Sequence, residues 1–398
     1  MTRCLYIRAA YQAKLFAGLV AARDFKINLN ACEASVFLNA STNIWKNYTL
    51  HPSIDWRTKI EAATAAINVT NADLKNKALQ VATYGTFVWI EGQSQIPKIE
   101  QAVKDVPCKN VLGLVISGLP YHECLPIEVK PPMEPYSYSA DYIDPIVKIL
   151  KSYPNTAFAL IIEPGVVGNV VPNVNTSSCK HVVDSYRQNV PYALRNLNLP
   201  NVVMYLDGAH GGLLGWRYIL KSAAQELADT YKAAGSPSQF RGLATNVAGY
   251  NSWDLSPGEY FADPDAEPTN EAHNEKRYIL LLGKELQKTG MPRHSITDTS
   301  RSGVQGIRKE WGDWCNVNGA GFGRRPGTDT CDEWADAFVW VKWGGESDGT
   351  SDATSRTYES FCGKVDAFQP SPEKGEWNQA YFEMLLRNAK LGTKYQPC

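Results

Sequence analysis

The chain has 398 residues, of which 44% are hydrophobic and 20% are charged, with a formal net charge of −1. This balance is typical of a globular protein with a large core. Because there is no basic block or Lys/Arg stripe, the sequence argues against a nucleic-acid partner, and because no run reaches the roughly 18 apolar residues of a membrane span, we expect no membrane partner.

The amino-terminal region differs from the rest of the chain. Leu15–Ala22 is an apolar run behind three basic residues, which has the marks of a signal peptide, with an ordinary helix as the alternative interpretation. We therefore expect residues 1–35 to be a signal peptide or lead and residues 36–398 to form a single domain. Sequons for N-glycosylation, which favour secretion, begin at Asn39, Asn47, Asn68 and Asn175.

From about residue 86 onward, short apolar runs alternate with helical patterns. Most of the runs are continuous, as expected for strands that are buried on both faces. The predicted strands are Thr86–Ile90, Val111–Ser117, Ala157–Glu163, Val202–Asp207, Gly242–Val247, Ser295–Asp298 and Ala337–Lys342. The predicted helices are Lys98–Val106, Asp141–Lys151, Val182–Asn196, Ser222–Ala234 and Asn274–Thr289. This alternation predicts an α/β fold with a parallel sheet closed as a barrel.

Polar residues follow these strands, at the end where parallel barrels carry their active sites. They are Glu163, Asp207, Asn246, Asp298, Glu346 and Asp348. One aspartate after a strand is more often a turn or a cap, but several of them followed by glycine-rich loops indicate a site. There is no G-x-S-x-G elbow and no phosphate-binding loop, so paired carboxylates acting on a glycosidic bond are the natural chemistry.

Several tryptophans lie beside Gly, Asp and Asn in loop-like stretches. Flat apolar rings next to polar side chains suit sugar binding, with core packing as the alternative. These residues are Trp216, Trp253, Trp311, Trp314 and Trp343.

Nine cysteines occur without a Cys-x-x-Cys pair or a Cys/His cluster of zinc spacing. We therefore expect no metal. The wide spacing of the cysteines fits long-range disulfides in an oxidising compartment.

Ordered motifs between residues 84 and 390 carry a family resemblance. They include NLPNVVMYLD at 198–207, RGLATNVAGYN at 241–251, ITDTSRSG at 296–303, WGDWCNVNGAGFGRRP at 311–326 and FVWVKWGGESDGTSD at 338–352. In these segments the chain resembles glycoside hydrolase family 6, the inverting cellulases and cellobiohydrolases. The resemblance implies a distorted parallel β/α barrel of about seven strands and a β-1,4-glucan or cello-oligosaccharide ligand. We expect a monomer with no cofactor and no cellulose-binding module.

The resemblance also assigns roles to individual residues. Asp207 matches a groove aspartate, and Asp348 matches the aspartate proposed as base; a buried ion pair with Lys342 or Arg301 is the alternative for both. Leu213 stands where the family often has tryptophan. The implied sugar contacts are Trp89, His210, Trp216, Asn246, Asn251, Trp314, Lys342 and Glu346, and the implied disulfides are Cys124 with Cys179 and Cys315 with Cys362.

The sequence departs from the family at one place. The family's proton donor is the aspartate of an Ile-Glu-Pro-Asp motif, which here ends in Gly165. Glu123 replaces the aspartate that helps to set the donor's pKa, and Ser117 replaces a tyrosine. Gly118 replaces the aspartate of the family's Asp-Leu-Pro stretch.

These departures leave three hypotheses. Because a general acid contributes roughly 10²–10⁴-fold to such a reaction, the first is a glucan-binding protein whose hydrolysis is lost or strongly impaired. The second is an active glucanase in which Glu123 is the substitute acid, with a pKa raised by burial. The third is a pocket repurposed for a non-glucan small molecule around Tyr121, His122 and Glu123.

Overall fold

The computed structural model describes residues 32–121, 124, 136–255 and 270–391. Eight strands form one sheet: β1 (Thr49–Leu50), β2 (Phe87–Ile90), β3 (Asn110–Ile116), β4 (Ala157–Ile162), β5 (Val202–Asp207), β6 (Phe240–Thr245), β7 (His294–Asp298) and β8 (Ala335–Val339). Every pairing between them is parallel. The predicted α/β class with a parallel sheet is confirmed.

The sheet is a nearly closed barrel. The strands from β3 to β8 follow one another in chain order. Both β1 and β2 pair with β3, β1 at its start and β2 at its end, so they share one of seven positions around the barrel. Next to β8, the N–H of Phe87 donates to the carbonyl of Trp340 at 3.2 Å, which brings the first and last strands together.

Helices lie between the strands and flank the barrel. They are α1 (Ile54–Ala66), α2 (Ala72–Val81), α3 (Pro97–Val103), α4 (Asp144–Ser152), α5 (Val167–Val170), α6 (Lys180–Asn196), α7 (Gly211–Leu214), α8 (Arg217–Ala233), α9 (Glu275–Thr289) and α10 (Gln379–Arg387). The five predicted helices all occur, with shifted ends. Among the described residues, no helix has the length and apolar character needed to cross a bilayer.

The core has an inner and an outer layer. Side chains such as Val115, Ile161 and Tyr205 fill the barrel interior, while Leu160 and Met204, on the opposite faces of β4 and β5, pack against the helices. Burial on both faces explains why the strands read as continuous apolar runs.

A strap of residues 32–45 covers the amino-terminal end of the barrel. Its backbone N–H groups donate to carbonyls that precede two strands, Val36 to Pro154 and Leu38 to Pro200, both at 2.8 Å. Its Trp45 indole N–H donates to the Tyr205 hydroxyl at 3.0 Å. The disulfide Cys32–Cys108, which the sequence did not indicate, ties the strap to the segment before β3. The structure also contains the two disulfides that the resemblance implied, Cys124–Cys179 and Cys315–Cys362.

Candidate active site

The parallel register gathers the polar residues at the carboxyl-terminal rim of the barrel. Ile116 pairs with Ile162, and Ile162 pairs with Leu206, so the residues that follow these three positions lie side by side. They are Ser117, Glu163 and Asp207. Further round the rim, Asp298 pairs with Val339. Of the residues that the sequence singled out, Glu163, Asp207 and Asp298 therefore lie at one edge of the sheet.

Gly165 lies on this rim with a backbone that suits glycine. Its φ is +84°, a left-handed conformation that side chains disfavour. Its N–H donates to Oδ2 of Asp207 at 3.0 Å. A Cβ added to Gly165 would have no heavy atom of the described residues within 4 Å. The position where the family carries its acid is thus exposed and, as far as the described residues go, open beside an aspartate.

Two buried carboxyls lie next to this space. Glu163 accepts hydrogen bonds from the N–H groups of Gly118 and Leu119, at 3.0 and 3.1 Å, and from the Tyr138 hydroxyl at 2.7 Å. Burial raises the pKa of Glu163 to about 7 despite these donors. Burial likewise raises the pKa of Asp207 to about 7, although hydrogen bonds from the N–H groups of Gly165 and Ala209 lower it. Both carboxyls therefore keep a large protonated fraction near neutral pH.

Glu123 and its neighbour His122 lie outside the described residues. Cys124, which follows Glu123, is described through its disulfide to Cys179 at the start of α6. The role assigned to Glu123 from the sequence therefore stays a prediction.

Asp348 forms the buried ion pair that was the alternative to its role as base. Arg301 Nη1 donates to its Oδ2 at 2.7 Å, as do the N–H of Asn316 at 2.9 Å and the Tyr250 hydroxyl at 3.1 Å. Burial by itself would raise the pKa of Asp348, but the Arg301 and Lys342 charges, with the hydrogen bonds from Arg301 and Asn316, together outweigh this effect and lower the pKa overall. Lys342 instead pairs with Glu346, at 3.1 Å from Nζ to Oε2.

Asn251 joins four polar groups on the groove floor. Its Nδ2 lies 3.1 Å from His210 Nδ1 and donates to Glu275 Oε1 at 2.7 Å. Its Oδ1 accepts from Arg308 Nη2 at 2.7 Å and from the Trp311 indole N–H at 3.0 Å. Burial, together with the Arg308 charge, lowers the pKa of His210 to about 3. His210 is therefore neutral at any working pH.

Asn246, for which the resemblance implies a sugar contact, is buried and hydrogen-bonded to protein groups. Its Nδ2 donates to the carbonyl of Asp298 at 2.8 Å, and its Oδ1 accepts the N–H of Asn251 at 3.1 Å. Its φ of +55° lies in the left-handed region. Its side-chain amide therefore holds the strand-end backbone and the floor residue Asn251 in position.

The six tryptophans that were singled out as candidate sugar contacts divide into two groups. Trp89, Trp216, Trp311 and Trp314 are partly buried at the rim. Indole N–H groups fix three of them: Trp89 donates to the Val341 carbonyl at 3.0 Å, Trp216 to the Gly212 carbonyl at 2.8 Å, and Trp311 to Asn251 Oδ1 at 3.0 Å. Partly buried, fixed rings of this kind suit stacking against sugar faces.

Of the other two loop tryptophans, one belongs to the core and one is partly buried against it. Trp253 is 2% exposed and packs edge-on against Phe338 at 5.1 Å. The ring centroid of Trp343 lies 5.4 Å from that of Trp56, and the Trp343 indole N–H donates to the Phe87 carbonyl at 3.1 Å. For Trp253 the core-packing alternative is correct.

Sequence reasoning missed Glu275 and Arg308, and it missed the contacts that Glu163 and Trp311 make. The strand-end motif marked Glu163, but it did not predict that the Glu163 carboxylate accepts hydrogen bonds from Gly118 and Leu119. The contacts of Glu275, Arg308 and Trp311 join positions far apart in the chain, and the sequence has no local pattern for them. Within the described residues, no group of three or more His, Cys, Asp or Glu is arranged to hold a metal ion.

Comparison with known proteins identifies the family. The model of glycosyl hydrolases family 6 matches residues 45–389. This chain belongs to glycosyl hydrolase family 6. A 1,4-β-D-glucan cellobiohydrolase, CEL6C of Podospora anserina, is 52% identical over 361 residues, 90% of each chain. Exoglucanase 3 of Agaricus bisporus is 42% identical over 83% of this chain and 75% of its own length.

Solved family 6 structures agree with the fold. A variant of the cellobiohydrolase Cel6A from Humicola insolens, in complex with methyl-tetrathio-α-D-cellopentoside, has a TM-score of 0.81 at 35% identity and covers 88% of this chain and 99% of its own. The family 6 enzyme CcCel6C from Coprinopsis cinerea also has a TM-score of 0.81, at 31% identity, and covers 89% of this chain and 100% of its own. The distorted family 6 barrel expected from the sequence is confirmed.

Proposed function

We propose that this protein binds β-1,4-glucan chains in the rim groove and hydrolyses them poorly, if at all. The observation that carries the proposal is Gly165, an open, side-chain-free position where the family motif has its acid. The relatives support the ligand, since they include cellobiohydrolases and a complex with a thio-cellopentoside. The fixed aromatic rings and the neutral His210 support a site for sugar faces and hydroxyls.

The loss of activity follows from the chemistry of the bond. In an inverting reaction, water adds to the anomeric carbon while a carboxylic acid transfers its proton to the leaving oxygen. Without that proton the sugar leaves as an alkoxide, a poor leaving group. Losing the positioned acid costs roughly 10²–10⁴-fold in rate, while binding by the rings and polar groups is unaffected.

A second function, retained hydrolysis through a substitute acid, is favoured by a specific observation. Asp207 Oδ2 lies 3.0 Å from the Gly165 N–H, and the pKa of Asp207 is about 7. A protonated carboxyl therefore remains beside the open position. Glu123 is the other acid proposed for this role. Measured activity that survives Glu123→Gln but falls in Asp207→Asn would assign the acid to Asp207; the reverse pattern would assign it to Glu123.

The test compares the natural protein with Gly165→Asp. Binding of cellohexaose is measured by calorimetry and cleavage by product chromatography. We expect binding by both proteins, a very low rate for the natural protein, and a rate at least about ten times higher for Gly165→Asp, well within what a positioned acid contributes. Because the added side chain enters open space, its main cost is the left-handed backbone, about 1 kcal/mol.

Gly290→Asp is the matched control. Gly290 ends α9 with a φ of +78°, and a Cβ added there would also meet no heavy atom of the described residues within 4 Å. The substitution therefore introduces the same strain and charge on the helix layer. It should leave both binding and rate unchanged. Rapid cleavage by the natural protein, or no binding of any cello-oligosaccharide, would contradict the proposal.

We also propose that the protein is secreted. The disulfides Cys32–Cys108, Cys124–Cys179 and Cys315–Cys362 fit an oxidising compartment. The four sequon asparagines Asn39, Asn47, Asn68 and Asn175 are all exposed. Expression in a secretory fungal host should release the protein into the medium with a mass that falls after deglycosylation. Retention in the cell would contradict secretion.

A further inference from the structure

The side-chain amide of Asn251 lies between two buried groups of opposite charge. Glu275 Oε1 accepts from Asn251 Nδ2, and Arg308 Nη2 donates to Asn251 Oδ1, both at 2.7 Å. All three residues are buried. With the amide turned over, its oxygen would face the carboxylate and its NH2 group would face the guanidinium, so only one orientation satisfies both charges. We call Asn251, Glu275 and Arg308 the floor clamp.

This orientation uses the whole hydrogen-bonding capacity of the Asn251 side chain. An amide has two N–H hydrogens to donate, and its oxygen accepts two hydrogen bonds. Nδ2 donates one hydrogen to Glu275 and directs the other to His210 Nδ1, 3.1 Å away. Oδ1 accepts from Arg308 and from the Trp311 indole N–H at 3.0 Å. The side chain for which the resemblance implies a sugar contact is thus fully engaged with the protein.

The same orientation fixes the proton on His210. Asn251 Nδ2 can only donate, and the Gly212 N–H also donates to His210 Nδ1, at 3.1 Å. A ring nitrogen that accepts has no hydrogen, so the neutral imidazole carries its proton on Nε2. His210 is partly exposed, and its Nε2 forms no hydrogen bond with the described residues and is not enclosed by them. The ring therefore presents an N–H donor to water at the rim of the barrel.

We propose that the floor clamp positions His210 as a fixed Nε2–H donor for an acceptor oxygen of the ligand. The members of the clamp are positioning residues, since they act on the ligand through His210. The choice of ligand rests on the proposed function, in which the acceptor is a glucan oxygen. The tautomer of His210 does not depend on that function.

Arg308 also keeps the ring neutral. The charged groups on the elements around His210 are Arg308, between β7 and β8, Glu275, at the start of α9, and Asp207, at the end of β5. Burial and then the Arg308 charge lower the pKa of His210. A proton on Nδ1 would point at the N–H groups of Asn251 and Gly212. The ring would then have to turn, and Nε2–H would lose its direction.

Nitrogen-15 NMR of the natural protein, labelled at histidine, reads the tautomer directly. The chain has six histidines, and the His210 signal is identified by its loss in His210→Gln. We expect the Nε2–H form throughout about pH 5–8, the range in which an ordinary histidine titrates. An Nδ1–H tautomer, or an imidazolium signal within this range, would overturn the proposal.

The variants Arg308→Met and Arg308→Lys test the positioning role. Methionine removes both the charge and the donor, so the titration of His210 should move upward, toward its ordinary range. Relative to the natural protein at each pH, cellohexaose binding by Arg308→Met should weaken about fivefold as His210 becomes protonated, as expected for one lost hydrogen bond. Arg308→Lys keeps the charge and should titrate and bind like the natural protein.

The outcomes separate this inference from the function on which its ligand rests. If the natural protein binds no cello-oligosaccharide, the proposed function fails, while the NMR signals still decide the tautomer and the effect of Arg308 on it. If cellohexaose binds, but Arg308→Met weakens it equally at every pH and leaves the His210 titration unmoved, Arg308 has a structural role alone and the positioning role is refuted. The tautomer measurement on the natural protein decides the proposal even if Arg308→Met does not fold.

Discussion

Removing the charge of Asp348 should unfold the protein at a distinctly lower temperature. Arg301 and Asp348 have side chains that are only 1% and 7% exposed, so Asp348→Asn leaves a buried guanidinium without its counter-ion. Breaking a buried pair in this way costs about 3–5 kcal/mol. Part of this free energy is recovered, because the amide oxygen of the new asparagine still accepts a hydrogen bond from Tyr250 or Asn316. We therefore expect the free energy of unfolding to fall by about 3 kcal/mol. With an unfolding entropy of roughly 2 cal/mol/K per residue, the melting temperature should fall by about 4 °C.

Calorimetric melting of the two proteins across pH checks this reasoning. The pKa of Asp348 is lowered in the folded state, so its contribution is present above the unfolded pKa and is lost as pH falls through the folded pKa. The difference between the proteins should therefore shrink in acid. Asp352→Asn, at an exposed aspartate nearby, is the control and should shift the melting temperature little. A difference below about 1 °C at neutral pH, where the entropy scaling predicts several degrees, or one that grows in acid, would refute the ion-pair account.

Two further predictions concern stability. The pKa of Glu163 is about 7 in the folded state against an ordinary 4.5, so the folded protein binds more protons between these values, and its stability falls as pH rises through that window, by up to about 3 kcal/mol. In Glu163→Gln, chemical unfolding should show a shallower fall; an identical slope would mean that Glu163 does not titrate there. Replacing Cys32 and Cys108 by serine removes a link across 76 residues and should lower the unfolding free energy by about 3–4 kcal/mol; unchanged unfolding would show that the strap is held without the disulfide.

The barrel could be predicted from the sequence because its strands are buried on both faces. Strands β2 to β5 read as nearly continuous apolar runs, and the alternation of strands with helices predicts the parallel arrangement. The strand β1 was missed because Thr49 and Leu50 are too short a run to carry a pattern. The strap of residues 32–45 was also missed, because its stabilising contacts are backbone hydrogen bonds to Pro154 and Pro200.

The site was only partly predictable for a related reason. Gly165 and Asp207 follow from motifs at strand ends, which are local. The raised pKa of Glu163 depends on its burial, which the hydrogen bonds from Leu119 and Tyr138, residues elsewhere in the chain, only partly offset. Residue type alone could not separate Trp253, which is in the core, from the rim tryptophans, since burial decided their roles.

The most direct test of the central claim is the rate at which cellohexaose is cleaved by the natural protein and by Gly165→Asp, at concentrations where calorimetry shows both to be saturated. We expect very slow cleavage by the natural protein. The cleavage rate of Gly165→Asp should be higher and approach the roughly 10²–10⁴-fold gain that a positioned acid contributes. Fast cleavage by the natural protein, with no gain from the added aspartate, would show that another group already supplies the proton.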